Sequence, residues 1–139
     1  MRRNPVIQEQ KTGCAIASAA AIAGISYREA REVASRIGIS AENPALWSDT
    51  APIRRLLGEL GIRTSGEEVP FKGWDSLPKC ALLAIKWHLK NGIPYWHWVV
   101  FVRENAHSSY VLDSKKGLAT PIRTDFGRMK PKWFIEVFC

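Results

Sequence analysis

Four residues in this chain have the types and spacing needed for acyl-transfer chemistry: Gln8, Cys14, His97 and Asp113. Cys14 opens an uncharged run, Ala15 to Ala23, rich in alanine and free of Pro and Gly. Alanine loses no side-chain entropy on entering a helix, so the run predicts a buried helix with Cys14 in its first turn. There the unpaired N–H groups and the positive dipole end favour an anion and raise the thiolate character of a cysteine. Gln8, six residues earlier, carries a neutral amide donor of the type that stabilises a developing oxyanion. A buried cysteine acting as a small hydrophobe is the competing reading of Cys14.

The other half of the chemistry lies in two strand-like runs, Tyr95 to Val102 and Ser108 to Asp113, joined by Arg103 to His107. A hairpin centred on Asn105 predicts His97 opposite Asp113, Val99 opposite Val111 and Phe101 opposite Ser109, on one face. Directly opposed side chains start about 4.5–5.5 Å apart, close enough for a carboxylate to fix an imidazole tautomer. A bulge near Arg103 that moved the register by one residue would send the pair to opposite faces. Alternatively, His97 is a core histidine satisfied by a carbonyl, and Asp113 a turn residue before Ser114 and Lys115. His88 and His107 have no carboxylate so placed and read as structural or solvent-facing.

These positions need elements to hold them. Ser26-Tyr27-Arg28-Glu29 is a capping box opening a helix through Ala30, Val33, Ala34 and Ile37, with Gly38 at its end. Ser48, Asp49 and Thr50 offer N-caps for a helix through Ile53, Leu56, Leu57 and Leu60, closed by Gly61. Beyond it the period changes. Ile62 to Val69 predicts a short strand, Pro70 to Pro78 a surface connection, and the apolar run Cys80 to Trp87 a strand buried on both faces. Leu118 to Ile122 predicts a further strand, Thr124 to Met129 a turn of helix, and Trp133 to Phe138 a last strand. Helices first and an antiparallel sheet second make an α+β fold, and without repeats or linkers residues 1–139 read as one domain.

Composition narrows the function classes. A chain of 139 residues, 46% hydrophobic and 24% charged, can bury a core without disulfides or metals. No apolar run is long enough for a membrane span. Arg2, Arg3 and Lys11 precede an apolar run as in a signal peptide, but that run is short, alanine-heavy and preceded by Glu9. Three cysteines (Cys14, Cys80 and the terminal Cys139) with no paired spacing argue against a disulfide framework and a zinc site, and imply a reducing, cytoplasmic setting. The net charge of +7 is spread along the chain, with a local excess at Lys115, Lys116, Arg123, Arg128, Lys130 and Lys132, so nucleic-acid binding is not expected.

With Gln8, Cys14, His97 and Asp113 in that order, the chain resembles the papain-like cysteine peptidases. More closely, it resembles the bacteriocin-processing peptidases, which remove double-glycine leaders and usually form the N-terminal domain of an ABC exporter. That family's Gln lies six residues before the Cys, as Gln8 does. Its His opens an H-hydrophobic-V-V strand, matched by His97-Trp98-Val99-Val100, and its Asp stands sixteen residues on, as Asp113 does. Leu77-Pro78 before the Ala81–Trp87 strand, and Phe126 followed by Trp133, are similar to further family features. The chain departs from the pattern at Ala15, where the family has Gly, and at Ser114, where it has Pro.

The resemblance implies a papain-like fold with N-terminal helices packed on a C-terminal sheet, and a Cys14-His97-Asp113 triad with Gln8 in the oxyanion hole. It implies a peptide or protein substrate, no cofactor or metal, and a separate transporter or other partner chain. Trp96 and Trp98, beside His97, are expected to narrow the cleft, so that small residues such as Gly flank the cleaved bond. Other acyl transfer or isopeptide cleavage on the same residues, a non-catalytic peptide- or nucleic-acid-binding domain, and a metal site on Cys14, His97 and Asp113 are the alternatives.

Overall fold

The computed structural model describes residues 3–138; the expectations for Arg2 and Cys139 lie outside the described residues. Three α-helices come first: α1 Cys14–Ala23, α2 Tyr27–Arg36 and α3 Ala51–Glu59. The strands follow: β1 Arg63–Thr64, β2 Val69–Pro70, β3 Cys80–Lys90, β4 Ile93–Asn105, β5 Ser108–Leu112, β6 Ile122–Arg123 and β7 Trp133–Phe138. They form one antiparallel sheet in the order β1-β7-β3-β4-β5-β6, with β2 also on β7. The fold is α+β, as expected. No described helix is long and apolar enough to cross a membrane.

Local chemistry accounts for the helix ends. Ser26 Oγ accepts from the Glu29 N–H and Glu29 returns a bond to the Ser26 N–H, so the capping box is complete. Helix α1 is buried from Cys14 to Ile22, which explains its nearly uniform apolar sequence. It stops at Gly24, whose φ of 73° is the left-handed conformation that glycine takes without strain. At α3 the Asp49 carboxylate accepts from the Ala51 N–H, while Thr50, the last residue before the helix, caps nothing with its side chain.

Strands β3 and β4 are the spine of the sheet. They are joined by Asn91-Gly92, both at positive φ, a type I′ pattern that matches strand twist. Residues on alternate sides of each strand bury two different faces. Leu82, Ala84, Trp98 and Val100 pack with α1, α2 and α3. Leu83, Ile85, Val99 and Phe101 face a second cluster covered by Phe71, Trp74 and Phe126. Trp74 stands at its centre, its ring 5.1 Å from Phe71 and 4.7 Å from Phe126 between centroids.

Three expected elements differ in extent. The Ile62–Val69 strand is two two-residue pieces, each long enough only to pair with part of β7. The Leu118–Ile122 strand reduces to Ile122–Arg123, and the helical turn after it is a 3-10 turn at Phe126–Arg128.

Candidate active site

The segment from Gln8 to Gly13 is irregular, and side chains fix its course. Tyr27 from α2 donates through its hydroxyl to Gln10 Oε1 at 2.7 Å, and Thr12 donates to the Ala41 carbonyl at 2.7 Å. The Gly13 N–H closes a turn on the Gln10 carbonyl at 3.0 Å. A Cβ on Gly13 would stand 2.1 Å from Tyr27 Oη, so a glycine before Cys14 is what lets Tyr27 clamp the loop. Cys14 is then the first helical residue of α1, with no side chain capping the helix start.

Gly13→Ala should therefore destabilise the protein by about 1–3 kcal/mol, despite the better helix propensity of alanine. Adding Tyr27→Phe, which removes the nearest clashing atom, should recover part of the melting temperature. A Gly13→Ala protein as stable as the parent would mean that Tyr27 moves aside freely.

His97 and Asp113 meet, but not by the register expected. Strand β4 runs on to Asn105 and β5 starts at Ser108, so the turn is Ala106-His107, with Asn105 Oδ1 accepting from the His107 N–H at 2.8 Å. The ladder is irregular between Arg103 and Asn105 and then pairs Phe101 with Val111 and Val100 with Leu112. Extended by one pair, it sets Asp113 opposite Val99, not His97. The shift from the Asn105-centred hairpin is two residues, and an even shift keeps side chains on their faces. His97 Nε2–H accordingly donates to Asp113 Oδ1 at 2.8 Å.

This uses one ring nitrogen, and the Cys14 side chain lies close enough to the imidazole to interact with it. Strand β5 ends at Leu112, so the first half of β4 runs past it, and His97 lies in that stretch, paired with Ile85 of β3 on one side and with no β5 partner on the other. Burial pushes the His97 pKa down, but the Asp113 carboxylate and Cys14 more than reverse this and hold it at about 9. Burial likewise opposes ionisation of Asp113, and its bonds to His97, the Lys115 N–H and Arg123 overcome that and bring it to about 2. The turn-residue reading of Asp113 also has substance: Oδ1 accepts the Lys115 N–H at 3.1 Å.

Sequence reasoning missed Arg123. Its Nη1 donates to Asp113 Oδ2 at 3.0 Å, while Nε and Nη2 grip Asp125 at 2.9 and 2.7 Å. Strand β6 sets Arg123 opposite Val111, so Asp113 is its diagonal neighbour on the same face. Arg123 is thus part of the polar chain, not of a solvated basic face. The Arg-x-Asp spacing was visible; its reach to Asp113 needed the pairing.

Gln8 is nearly buried and fully engaged. Its Nε2 donates to the Lys11 carbonyl at 2.6 Å and the Gln10 carbonyl at 3.2 Å, and its Oε1 accepts from Ser114 Oγ at 2.8 Å. The Gln8 N–H also donates to the Ser114 carbonyl at 2.9 Å. The residue after Asp113 is therefore tied to the segment leading to Cys14, and the Ser114 hydroxyl bond is one that a proline could not make.

Trp96 and Trp98 do not flank an open cleft. Trp98 is 0% exposed and its Nε1–H donates to the Leu46 carbonyl; Trp96 is 7% exposed. Both stack edge-on with Trp133 in the helix-side core, because residues 96 and 98 alternate with His97. His88 is exposed, with Nδ1 against the Lys86 carbonyl, and His107 stands at the hairpin turn. No three His, Cys, Asp or Glu side chains among the described residues are grouped to hold a metal ion.

A thiol, an imidazole and a carboxylate in series can pass a proton from sulfur to ring and stabilise the resulting cation. No family model matches the sequence, and no curated protein matches it. A solved structure does: a double glycine motif protease from an AMS/PCAT transporter, in complex with the leader peptide. The match has a TM-score of 0.59 at 16% identity, and covers 98% of this chain and 91% of that one. At that identity it is the fold, over nearly the whole length of both chains, that the two proteins share.

Proposed function

We propose that residues 1–139 form one papain-like cysteine peptidase domain that hydrolyses a peptide bond through Cys14, His97 and Asp113. The observation that carries this reading is the 2.8 Å bond of His97 Nε2–H to the Asp113 carboxylate with the Cys14 side chain beside the same imidazole, which supports a chain in which the other ring nitrogen serves the sulfur. The Cys14 thiol gives its proton to that nitrogen and the sulfur attacks the peptide carbonyl carbon, sending the carbonyl electrons to oxygen. Collapse of the tetrahedral intermediate expels the amine, which takes the proton back from His97. Water, deprotonated by His97, then adds to the thioester carbonyl, the C–S bond breaks to release the acid, and the Cys14 sulfur takes the proton back from His97. With a pKa of about 9, His97 keeps the proton it has taken from sulfur at neutral pH until the leaving amine collects it.

The Cys14 N–H, at the uncapped start of α1, is one donor to the oxyanion. Gln8 is the second, exchanging its longer bond, 3.2 Å to the Gln10 carbonyl, for the oxyanion. The substrate is a peptide cleaved after small residues of the Gly-Gly type, a reading supported by the fold shared with a double glycine motif protease. Incubation with a peptide library and mass-spectrometric reading of the products, with Cys14→Ala as the blank, tests the assignment. Products identical in both samples would overturn it.

Gln8→Ala should lower kcat by ~10²–10³ with KM little changed, because the oxyanion bond strengthens only as the carbonyl becomes tetrahedral. The Ser114 hydroxyl and two loop carbonyls also lose their partner, so a fall of about 1–3 kcal/mol in stability should accompany it. Steady-state kinetics and a thermal melt separate the two effects. A lowered melting temperature with unchanged kcat would make Gln8 a structural tie alone.

A further inference from the structure

Beside Asp113 the chain gathers positive charge that the catalytic residues do not use. Strand β3 leaves its ladder with β4 between Ile85 and His88, immediately after the pair Ile85–His97. Lys86, at that break, has a φ of 55°, a left-handed conformation rare for a residue with a side chain. Such bulges re-aim a side chain. Lys86 helps line a cavity of about 490 Å³, together with Thr120, Arg123, Thr124, Asp125 and Arg128.

The negative charges nearby are committed. Asp113 is shared among His97, the Lys115 N–H and Arg123, and Asp125 is gripped by two nitrogens of Arg123. Among the described residues neither Lys86 nor Arg128 has a carboxylate within salt-bridge distance. Partial desolvation of this exposed residue, and then the adjacent Lys115 ammonium, hold Lys86 below its ordinary pKa, with Arg123 adding to the effect and Asp113 opposing it. An anion entering the cavity relieves that repulsion.

We propose that this cavity is a substrate subsite for an acidic side chain, with Lys86 and Arg128 as its cations and the Thr120 and Thr124 hydroxyls as neutral donors. The proposal rests on the peptidase reading. The cavity wall at Arg123 is joined to the imidazole through Asp113, by contacts of 3.0 and 2.8 Å. On this proposal a peptide lying across Cys14 and His97 brings a residue close to the cleaved bond into the cavity. The space suits one side chain, whereas a nucleic-acid strand needs a longer track of cations.

The test scans Asp, Asn and Lys through each position flanking the cleaved bond of a peptide substrate. Kinetics are measured on the parent protein, and binding of the labelled peptides is measured by anisotropy on Cys14→Ala. At one or two adjacent positions Asp should improve kcat/KM over Asn about tenfold, through KM, and Lys should be the worst. The double variant Lys86→Gln/Arg128→Gln should erase the preference and leave kcat on the Asn peptide unchanged. Raising the salt should shrink the preference in the parent only.

A preference that survives in the double variant, or no position at which Asp exceeds Asn, overturns the subsite. So does an oligonucleotide that binds Cys14→Ala, loses affinity in the double variant and leaves the peptides undiscriminated. Failure of the peptidase reading is seen separately, as a parent protein that cleaves nothing while anisotropy still reports on the cavity.

Discussion

Cys14→Ala should bring peptide cleavage to the level seen with no protein added, a fall on the order of 10⁶ in kcat, the scale on which hydrolases respond to losing their nucleophile. The expectation follows from position as much as from chemistry. Cys14 is the first residue of α1 and its side chain is the one joined to His97. Cys80 pairs with Val102, five residues along β3 from the Ile85–His97 pair, so it lies roughly 17 Å from the imidazole along the strand. It cannot take over. The fold should survive, since exchanging a thiol for a hydrogen removes little volume from a helix end and costs about 1 kcal/mol. Circular dichroism should be unchanged and the His97–Asp113 bond preserved. Residual cleavage of even a few per cent, in protein free of contaminating peptidase, would remove Cys14 from the mechanism.

How far the sequence carries depends on whether a feature is local. The Ser26–Glu29 capping box, the apolar α1 and the Trp133–Phe138 strand are written in contiguous residues, and each forms where expected. The β4–β5 hairpin is only half local. Its strands were legible, but the turn moved from Asn105 to Ala106-His107 because the Asn105 side chain folds back on the His107 N–H. The site survived that misreading because alternation is conserved under an even shift; a slip of one residue would have separated His97 from Asp113.

Non-local features were not legible. The contact of Arg123 with Asp113 depends on two residues of β6 finding β5, a pairing too short to leave a pattern. Trp96 and Trp98 carry the same aromatic signature whether they line a cleft or fill a core. Their alternation with His97 sets them against α1 and Trp133. Gln8 kept its place in the chain, yet the partners of its amide are set by the course of the Gln8–Gly13 loop, which has no period to read.

Asp113→Asn should be nearly as damaging to catalysis as loss of Cys14, with a distinct signature. Asp113 Oδ2 accepts from Arg123 and Oδ1 from His97. With the Lys115 N–H, which also donates to Oδ1, an asparagine has one oxygen for three donors, and the permanently charged guanidinium takes it. The amide NH₂ then faces Nε2 of His97, so the neutral ring must carry its proton on the nitrogen that meets Cys14. A ring so protonated cannot accept the thiol proton. Loss of an orienting carboxylate by this route costs up to ~10⁴ in kcat. The lost charge also removes an interaction that holds His97 at about 9 against burial, so the imidazole pKa falls. The alkaline limb of kcat/KM, which in the parent should fall near pH 9 as His97 deprotonates, should move toward neutrality.

Stability should follow the same two groups. In the parent, Asp113 is depressed from 3.8 to about 2, so its contribution is present above 3.8 and is lost as pH falls through 2. His97 is raised from 6.5 to about 9, so its contribution is present below 6.5 and is lost as pH rises through 9. The parent should therefore be most resistant to urea near pH 5, and Asp113→Asn should flatten the profile on both sides while lowering it throughout. An alkaline limb still at pH 9 in Asp113→Asn, with kcat within tenfold of the parent, would show that the carboxylate neither orients nor charges His97.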